Sequence, residues 1–143
     1  MIELIFVIVI IGILLSVTIP KLTSTRDDAV IAKDIEYVVS VMTEVLTYTI
    51  ARGETKNDLR KMSPLLAHLE ILNKAIIDTS NRKAIIKMGN QIDCLSINIV
   101  TTATSELVAT SFSASQDRIC TTVQKAIKAK DYPLILRGRL IKY

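Results

Sequence analysis

Few residues of this chain are of types that do chemistry, and their spacing is typical of no catalytic or metal site. The one histidine, His68, has no nucleophile motif near it. Three serines, Ser111, Ser113 and Ser115, alternate without a GxSxG context, and no GxxxxGK[ST] phosphate-binding loop occurs. The sequence therefore predicts that the protein is not an enzyme, and it predicts no cofactor and no metal site.

The two cysteines, Cys94 and Cys120, are the next candidates. Neither belongs to a CxxC pair and only one histidine is present, so a zinc site is poorly supported. In a domain outside the cytoplasm, the expected state is a disulfide that ties a predicted central strand to the following helix. A disulfide that closes the loop between these two cysteines would contribute roughly 3–4 kcal/mol to the free energy of unfolding on the chain-entropy model. The alternative is two separate buried thiols.

A single carboxylate, Glu3, precedes a long apolar run. The run reads LIFVIVIIGILL from residue 4 and extends to Pro20. Counted from Met1, about 19 residues cover about 28 Å as a helix, close to the apolar thickness of a bilayer. Apolar side chains occupy every side, so this helix must be buried in lipid or in protein. A cleaved signal peptide would have a basic start and a small-residue exit, and this segment has neither. A membrane anchor fits its length and hydropathy.

Two interpretations of Glu3 follow. It lies in the headgroup zone without a role, or it is kept for a cation, because a carboxylate at the edge of a spanning helix is costly to desolvate. The first basic residue of the chain is Lys21. The cation would therefore have to come from outside this helix, and a neighbouring subunit is the simplest source.

The first 22 residues, MIELIFVIVIIGILLSVTIPKL, resemble the N-terminus of type IV pilins and of type II secretion pseudopilins. Mature chains of that family open with Phe-Thr-Leu/Met-Ile-Glu-Leu, followed by an apolar run with a Pro near its end. Residues 1–4 (MIEL) match the last four of these six positions. The spacing from Glu3 to Pro20 agrees, and Gly12 stands where the family commonly has a glycine. A lone Glu before an uninterrupted apolar run is otherwise rare.

The resemblance implies a filament subunit that is made as a precursor. In the family, a prepilin peptidase removes a short basic leader, the new N-terminal residue is N-methylated, and an assembly platform with its ATPase builds the filament. The Glu equivalent to Glu3 would pair with the terminal amine of the adjacent subunit. The segment equivalent to residues 12–20 would lose helicity in the filament core, which Gly and Pro favour. Many pilins also have a C-terminal disulfide loop, which favours pairing of Cys94 with Cys120.

The chain opens at the third of the six family positions. We therefore expect the leader, its cleavage site and the first two mature residues to lie upstream of Met1, and we assign no methylated residue.

One helix of about 50 residues, roughly 75 Å long, is predicted to join an apolar half to an amphipathic half. After Pro20 a helical stripe runs toward a stop at Gly53: Ile31, Ile35, Val38, Val39, Met42, Val45, Leu46 and Ile50. Residues 53–63 are polar and predict a loop. Ser63 and Pro64 predict the cap and first position of a short helix that runs to about Lys74.

Strands are predicted where β-branched residues and partial alternation occur, over residues 83–88, 91–100 and 106–112, with a hairpin turn at Gly89 and Asn90. A short helix is expected over residues 117–130 and a last strand over residues 133–141. The fold class is therefore α+β: a long N-terminal helix, half transmembrane and half spine, packed on a small antiparallel sheet. Pilin-like proteins share this layout.

Composition divides the chain into two parts. Residues 1–20 form the apolar half of the helix and contain no Lys or Arg. Residues 21–143, the predicted globular domain, hold all 18 basic residues and, without Glu3, 14 − 1 = 13 acidic ones, a net charge of +5. This excess is too small and too dispersed to demonstrate nucleic-acid binding. DNA contact at the basic C-terminal quarter is conceivable for a DNA-uptake pilin, but a solvated face is the simpler interpretation.

The sequence thus predicts a structural subunit, a pilin or pseudopilin of a type IV pilus or a type II secretion-like filament. It would cross the bacterial inner membrane once, with its C-terminal domain in the periplasm, and reach the surface in an assembled filament. Its partners would be copies of itself and other pilin-like subunits. The alternative is a single-pass anchored periplasmic binding module in which Glu3 has no role. A membrane-tethered enzyme is a weaker rival, because no catalytic constellation is present.

Overall fold

A single helix, α1, runs from Ile2 to Arg52 and carries the rest of the molecule. The structure is a computed structural model. It describes the backbone of residues 1–103, 105–128 and 134–137, and the side chains of these residues other than 17–24 and 137. The α1 backbone is helical without interruption through residues 12–20. Gly53 ends the helix in a left-handed conformation (φ 67°), where its N–H donates to the Thr49 carbonyl at 2.8 Å. The predicted length and stop of this helix are confirmed.

Two short helices and a five-stranded antiparallel sheet follow α1. The helices are α2 (Pro64–Ile71) and α3 (Arg118–Ile127), and the strands are β1 (Ala75–Asp78), β2 (Lys83–Met88), β3 (Gln91–Thr101), β4 (Glu106–Phe112) and β5 (Leu134–Arg137). The strands lie side by side in chain order, and α3 falls between β4 and β5 along the chain. The α+β architecture is therefore as predicted.

The C-terminal half of α1 supplies one wall of the hydrophobic core. Its buried side chains recur every three or four residues: Ile31, Asp34, Val38, Val41, Met42, Val45 and Thr49. The same core contains buried side chains of the short helices and the sheet: Leu66, Leu69, Ala84, Ile86, Leu95, Ile97, Ile99, Val108, Val123 and Ile127. Each large aliphatic side chain that is fully buried contributes roughly 1.5–3 kcal/mol. This burial holds the sheet against the helix.

The buried stripe of α1 differs from the predicted one. Val39 and Ile50 were expected to widen it, but they are 43% and 71% exposed. The buried face instead runs through two polar residues. Thr49 Oγ1 donates to a carbonyl one turn back at 2.8 Å, and Asp34 Oδ1 lies 3.6 Å from Lys74 Nζ. A hydropathy pattern leaves such residues out, because their partners come from the helix itself or from a distant loop.

The segment between α1 and β2 contains two elements that the sequence did not predict. α2 ends at Ile71 rather than at about Lys74, because Asn73 takes a positive φ (58°) and turns the chain into β1. β1 gives no alternating signal, since only its first residue, Ala75, is buried. The predicted polar loop also contains a 3-10 turn, Leu59–Lys61, whose leucine is fully buried.

The remaining predicted elements are present within the described residues, with one difference. α3 ends at Ile127, because Lys128 takes a positive φ (40°), whereas the sequence predicted a helix through residue 130. Ser63 Oγ caps α2 by accepting the Leu66 N–H at 3.1 Å, and Pro64 is the first helical residue. Met88 pairs with Gln91 around the predicted hairpin turn. Residues 129 and 130 of the expected third helix, and residues 133 and 138–141 of the expected last strand, lie outside the described residues.

A buried polar joint ties the segment that follows α1 to the sheet. Arg82 Nη1 donates to Glu106 Oε1 at 3.1 Å and to Thr101 Oγ1 at 2.9 Å, while Nη2 donates to Thr55 Oγ1. Thr55 Oγ1 in turn donates to Glu106 Oε2 at 2.7 Å. Burial by itself raises the pKa of Glu106, but the hydrogen bonds from Thr55 and Arg82, with the Arg82 charge, outweigh it and leave the pKa lowered.

We expect Glu106→Gln to lower the free energy of unfolding at pH 7 by about 2 kcal/mol, because it leaves the partly buried Arg82 guanidinium without a countercharge. A lowered folded-state pKa means that the Glu106 contribution is fully present above the unfolded-state pKa. It is lost as the pH falls through the folded-state value. Urea unfolding at pH 7 and pH 3 should therefore show a smaller pH dependence in the variant than in the wild type.

The matched control for Glu106→Gln is Glu36→Gln, which neutralises an exposed carboxylate on α1. This control should keep the wild-type pH dependence. An unchanged pH dependence in Glu106→Gln would contradict the role of the joint.

Candidate assembly site

The N-terminal half of α1 has no cover within the described part of the chain. Every side chain from Met1 to Ser16 is exposed, and the large apolar ones range from 41% exposed at Ile10 to 99% at Met1. They occupy every side of the helix, so rotation of the helix could not hide them against the domain. A contiguous apolar surface of this extent marks contact with a membrane or with other chains. We call residues 1–16 the apolar half.

Ser16, the last described residue of the apolar half, bonds within its own helix. Its Oγ donates to the Ile13 carbonyl at 2.7 Å, which lets a hydroxyl lie in apolar surroundings without an unsatisfied donor. Taking the chain over its described residues, we find no helix with the combination of length and apolar character that crossing a membrane requires.

Glu3 lies exposed in the first turn of α1, where the helix dipole favours a negative charge. None of the ion pairs among the described residues includes it. The first basic residue of α1 with a described side chain is Arg26, about 35 Å away along the helix axis. Along α1, no described basic side chain lies within reach of Glu3.

Gly12 and Pro20 lie farther along the same helix. A Cβ placed on Gly12 would meet no atom within 4 Å. A glycine on a helix surface lets a second helix approach closely, and no described part of this chain occupies that space. The Pro20 side chain lies outside the described ones. Glu3, Gly12 and Pro20 are spaced about 13 Å and about 12 Å apart along one axis, so the fold does not gather them into a pocket.

Cys94 and Cys120 form a disulfide, as predicted, between β3 and α3. Their Cα atoms are 5.6 Å apart, and both side chains are fully buried. Gln124, one turn after Cys120, reinforces this junction. Its Nε2 donates to the carbonyls of Cys94 at 2.7 Å and Ser113 at 2.8 Å. The sequence analysis missed Gln124, because a single glutamine on a helix carries no signal of its distant partners.

Asp117, the N-cap of α3, joins that helix to the hairpin between β2 and β3. Its Oδ1 accepts the N–H groups of Ile119 and Cys120 at 2.9 and 3.0 Å, and its Oδ2 accepts that of Asn90 at 3.2 Å. These backbone hydrogen bonds, that of Cys120 foremost, lower the pKa of Asp117. Gly89 (φ 58°) lies so close that an added Cβ would collide with the same carboxylate.

The other residues considered for chemistry do not form a reactive group. His68 is exposed on α2. Ser115 Oγ accepts the Asp117 N–H at 3.0 Å and so belongs to the start of α3. Over the described part of the chain, no three His, Cys, Asp or Glu side chains lie together in a way that could hold a metal ion.

We expect Gly89→Ala to destabilise the protein more than Gly53→Ala. Both positions have positive φ, which costs an alanine about 1–2 kcal/mol. Only Gly89 adds a collision with Asp117, since a Cβ on Gly53 would meet nothing within 4 Å. In an Asp117→Ala background, the cost of Gly89→Ala should fall to that of Gly53→Ala. Urea unfolding measures all of these variants, and equal costs in the wild-type background would refute the contact.

We expect the double variant Cys94→Ala, Cys120→Ala to lose about 3–4 kcal/mol of unfolding free energy, because the disulfide restricts the unfolded chain. Urea unfolding of the oxidised wild type, the reduced wild type and the double variant gives the comparison. The reduced wild type should match the variant to within about 1 kcal/mol. A difference below about 1 kcal/mol between oxidised and reduced wild type would contradict the expected contribution.

Comparison of this chain with protein-family models, with curated proteins and with solved structures found no match.

Proposed function

We propose that this chain is a structural subunit of a filament, of the type IV pilus or type II secretion kind, and that it assembles through the apolar half of α1. The observation that carries the proposal is a helix exposed on all sides that begins with a carboxylate, Glu3, with no ion-pair partner among the described residues. Apolar surface of this extent is unfavourable in water. Lipid or other chains must therefore cover it.

The apolar half is buried in different surroundings before and after assembly. Before assembly the apolar half lies in the bacterial inner membrane, with the domain in the periplasm, where the buried disulfide suits an oxidising compartment. After assembly it lies in a bundle of like helices. Lipid tails and aliphatic side chains are similarly apolar, so the move changes the partners of the helix more than the amount of buried surface.

Groups that are not apolar must then set the register between neighbouring subunits. Glu3 is the only charged residue of residues 1–20. A cation from a neighbouring subunit offsets its desolvation at one position along the neighbouring helix and not at others. Gly12 adds a place of close approach. The resemblance of residues 1–22 to pilins supports this role and implies a prepilin peptidase and an assembly platform with its ATPase as further partners.

The test is crosslinking of the chain in native membranes, with the wild type compared with Glu3→Ala and Glu3→Gln. We expect the ladder of multimers to collapse in both variants while the amount of inserted monomer stays the same. Glutamine keeps the shape of the side chain and removes its charge, so loss in both variants identifies the charge as the assembly contact.

Glu36→Gln is the matched control, because it removes an exposed carboxylate from the other half of the same helix. It should crosslink like the wild type. Unchanged ladders in the Glu3 variants, or an absence of multimers in the wild type, would overturn the proposal in favour of an anchored domain with no filament role.

A further inference from the structure

A small depression lies on the outer face of the sheet. Leu95 and Ile97 of β3 are buried in the core, so Ser96 between them belongs to the opposite face. Strand register places Ile85 and Ser111 beside Ser96. The depression has a volume of about 250 Å³ and is lined by Lys83, Ile85, Asp93, Ser96, Ser111, Phe112 and Ser113. That is the space of about eight water molecules, which suits a ligand of one small ring.

Some polar groups in the depression and at its border have no hydrogen-bond partner among the described residues. Ser96 is buried (7% exposed), and its Oγ lies 2.6 Å from Ser111 Oγ. Each hydroxyl carries one proton, and this contact uses only one of the two. Among the described residues no acceptor is recorded for the other proton. Asn98 follows Ser96 on the same face, and its Oδ1 is buried with no hydrogen-bond partner in the described part of the chain.

The walls of the depression carry one charge of each sign. Asp93 is held in place because Oδ1 accepts from Gln91 Nε2 at 2.8 Å and Oδ2 accepts from Ser113 Oγ at 3.1 Å. These two hydrogen bonds lower its pKa, so that the carboxylate is ionised at neutral pH. Lys83 supplies an ammonium that belongs to none of the ion pairs of the described residues.

This charge pattern gives a singly charged ligand no net advantage. An anion would be attracted to Lys83 and repelled by Asp93, and a cation would be attracted to Asp93 and repelled by Lys83. A neutral molecule with several hydroxyls can donate to Asp93 and accept from Lys83 and from the spare serine proton. Its C–H surface would lie on Ile85, which pairs with Ser96 and shares the outer face with it.

We propose that the depression binds a neutral sugar ring. The proposal does not rest on the filament role, since every residue that lines the site belongs to β2, β3, β4 or the residue after β4. The spare hydroxyl proton of the Ser96–Ser111 pair, Asp93 and Lys83 make the polar contacts. The occupant is a free monosaccharide or one residue of a larger glycan, which present the same ring.

The test is saturation-transfer NMR on the full-length chain in detergent micelles, with glucose, galactose, mannose and N-acetylglucosamine as separate probes. We expect at least one of them to give a saturable signal with a millimolar dissociation constant. Ser111→Val removes one hydroxyl of the Ser96–Ser111 pair and adds a methyl group at the wall of the depression, so it should weaken binding at least tenfold. Ser80→Val, at an exposed serine in the turn after β1, is the matched control and should leave the dissociation constant unchanged.

A second variant keeps the test independent of any change in the sheet. Asp93→Asn keeps the shape of an exposed side chain and should weaken binding about fivefold or more, while thermal unfolding confirms an intact domain. The proposal fails if none of the four sugars gives a saturable signal. It also fails if a saturable signal persists undiminished in both Ser111→Val and Asp93→Asn.

Discussion

The buried stripe on the C-terminal half of α1 is the surface on which the rest of the domain depends. Core side chains of both short helices and of the sheet belong to the one cluster that this stripe enters. The stripe ends at Thr49, one turn before the left-handed Gly53 that stops the helix. Toward the N-terminus, Ile31 is the first buried side chain among the described ones, and the side chains of residues 1–16 are all exposed. One continuous helix thus has a half that the chain can bury and a half that it cannot.

Hydrogen bonds and ion pairs between distant segments fix the arrangement of the other elements on that stripe. Hydrophobic burial is non-directional, so it draws the sheet and helices together without choosing a unique arrangement. Directional bonds make that choice. The guanidinium of Arg82 binds groups from two other segments, Asp117 joins a helix start to a hairpin, and Glu44 Oε2 accepts from Ser63 Oγ at 2.6 Å and from the Leu65 N–H at 3.1 Å. Each tie links residues far apart in sequence.

The sequence predicted the elements that local patterns encode. It did not predict the features that depend on contacts between distant residues. The span of α1, the cap at Ser63 and the three central strands follow from periodicity and capping, which operate over a few residues. β1 was missed, because its order comes from pairing with β2 and not from its own alternation. The Arg82–Glu106 pair was missed for the same reason. The disulfide was expected and is present, whereas the role of Glu3 is a prediction about a second molecule that no single chain can display.

The unbroken backbone of α1 gives the proposed filament role a mechanical consequence. Its two halves are joined by helical backbone and not by a loop. Whatever holds the apolar half, lipid or neighbouring helices, therefore also restricts the orientation of the domain that is packed on the other half. Positioning Glu3 against a neighbour would position the neighbour's domain as well. The residues that line the depression on the outer face of the sheet belong to β2, β3, β4 and the residue after β4, and none belongs to α1. A subunit of this design can bind its neighbours through the apolar half of α1 and leave that sheet face free for a ligand.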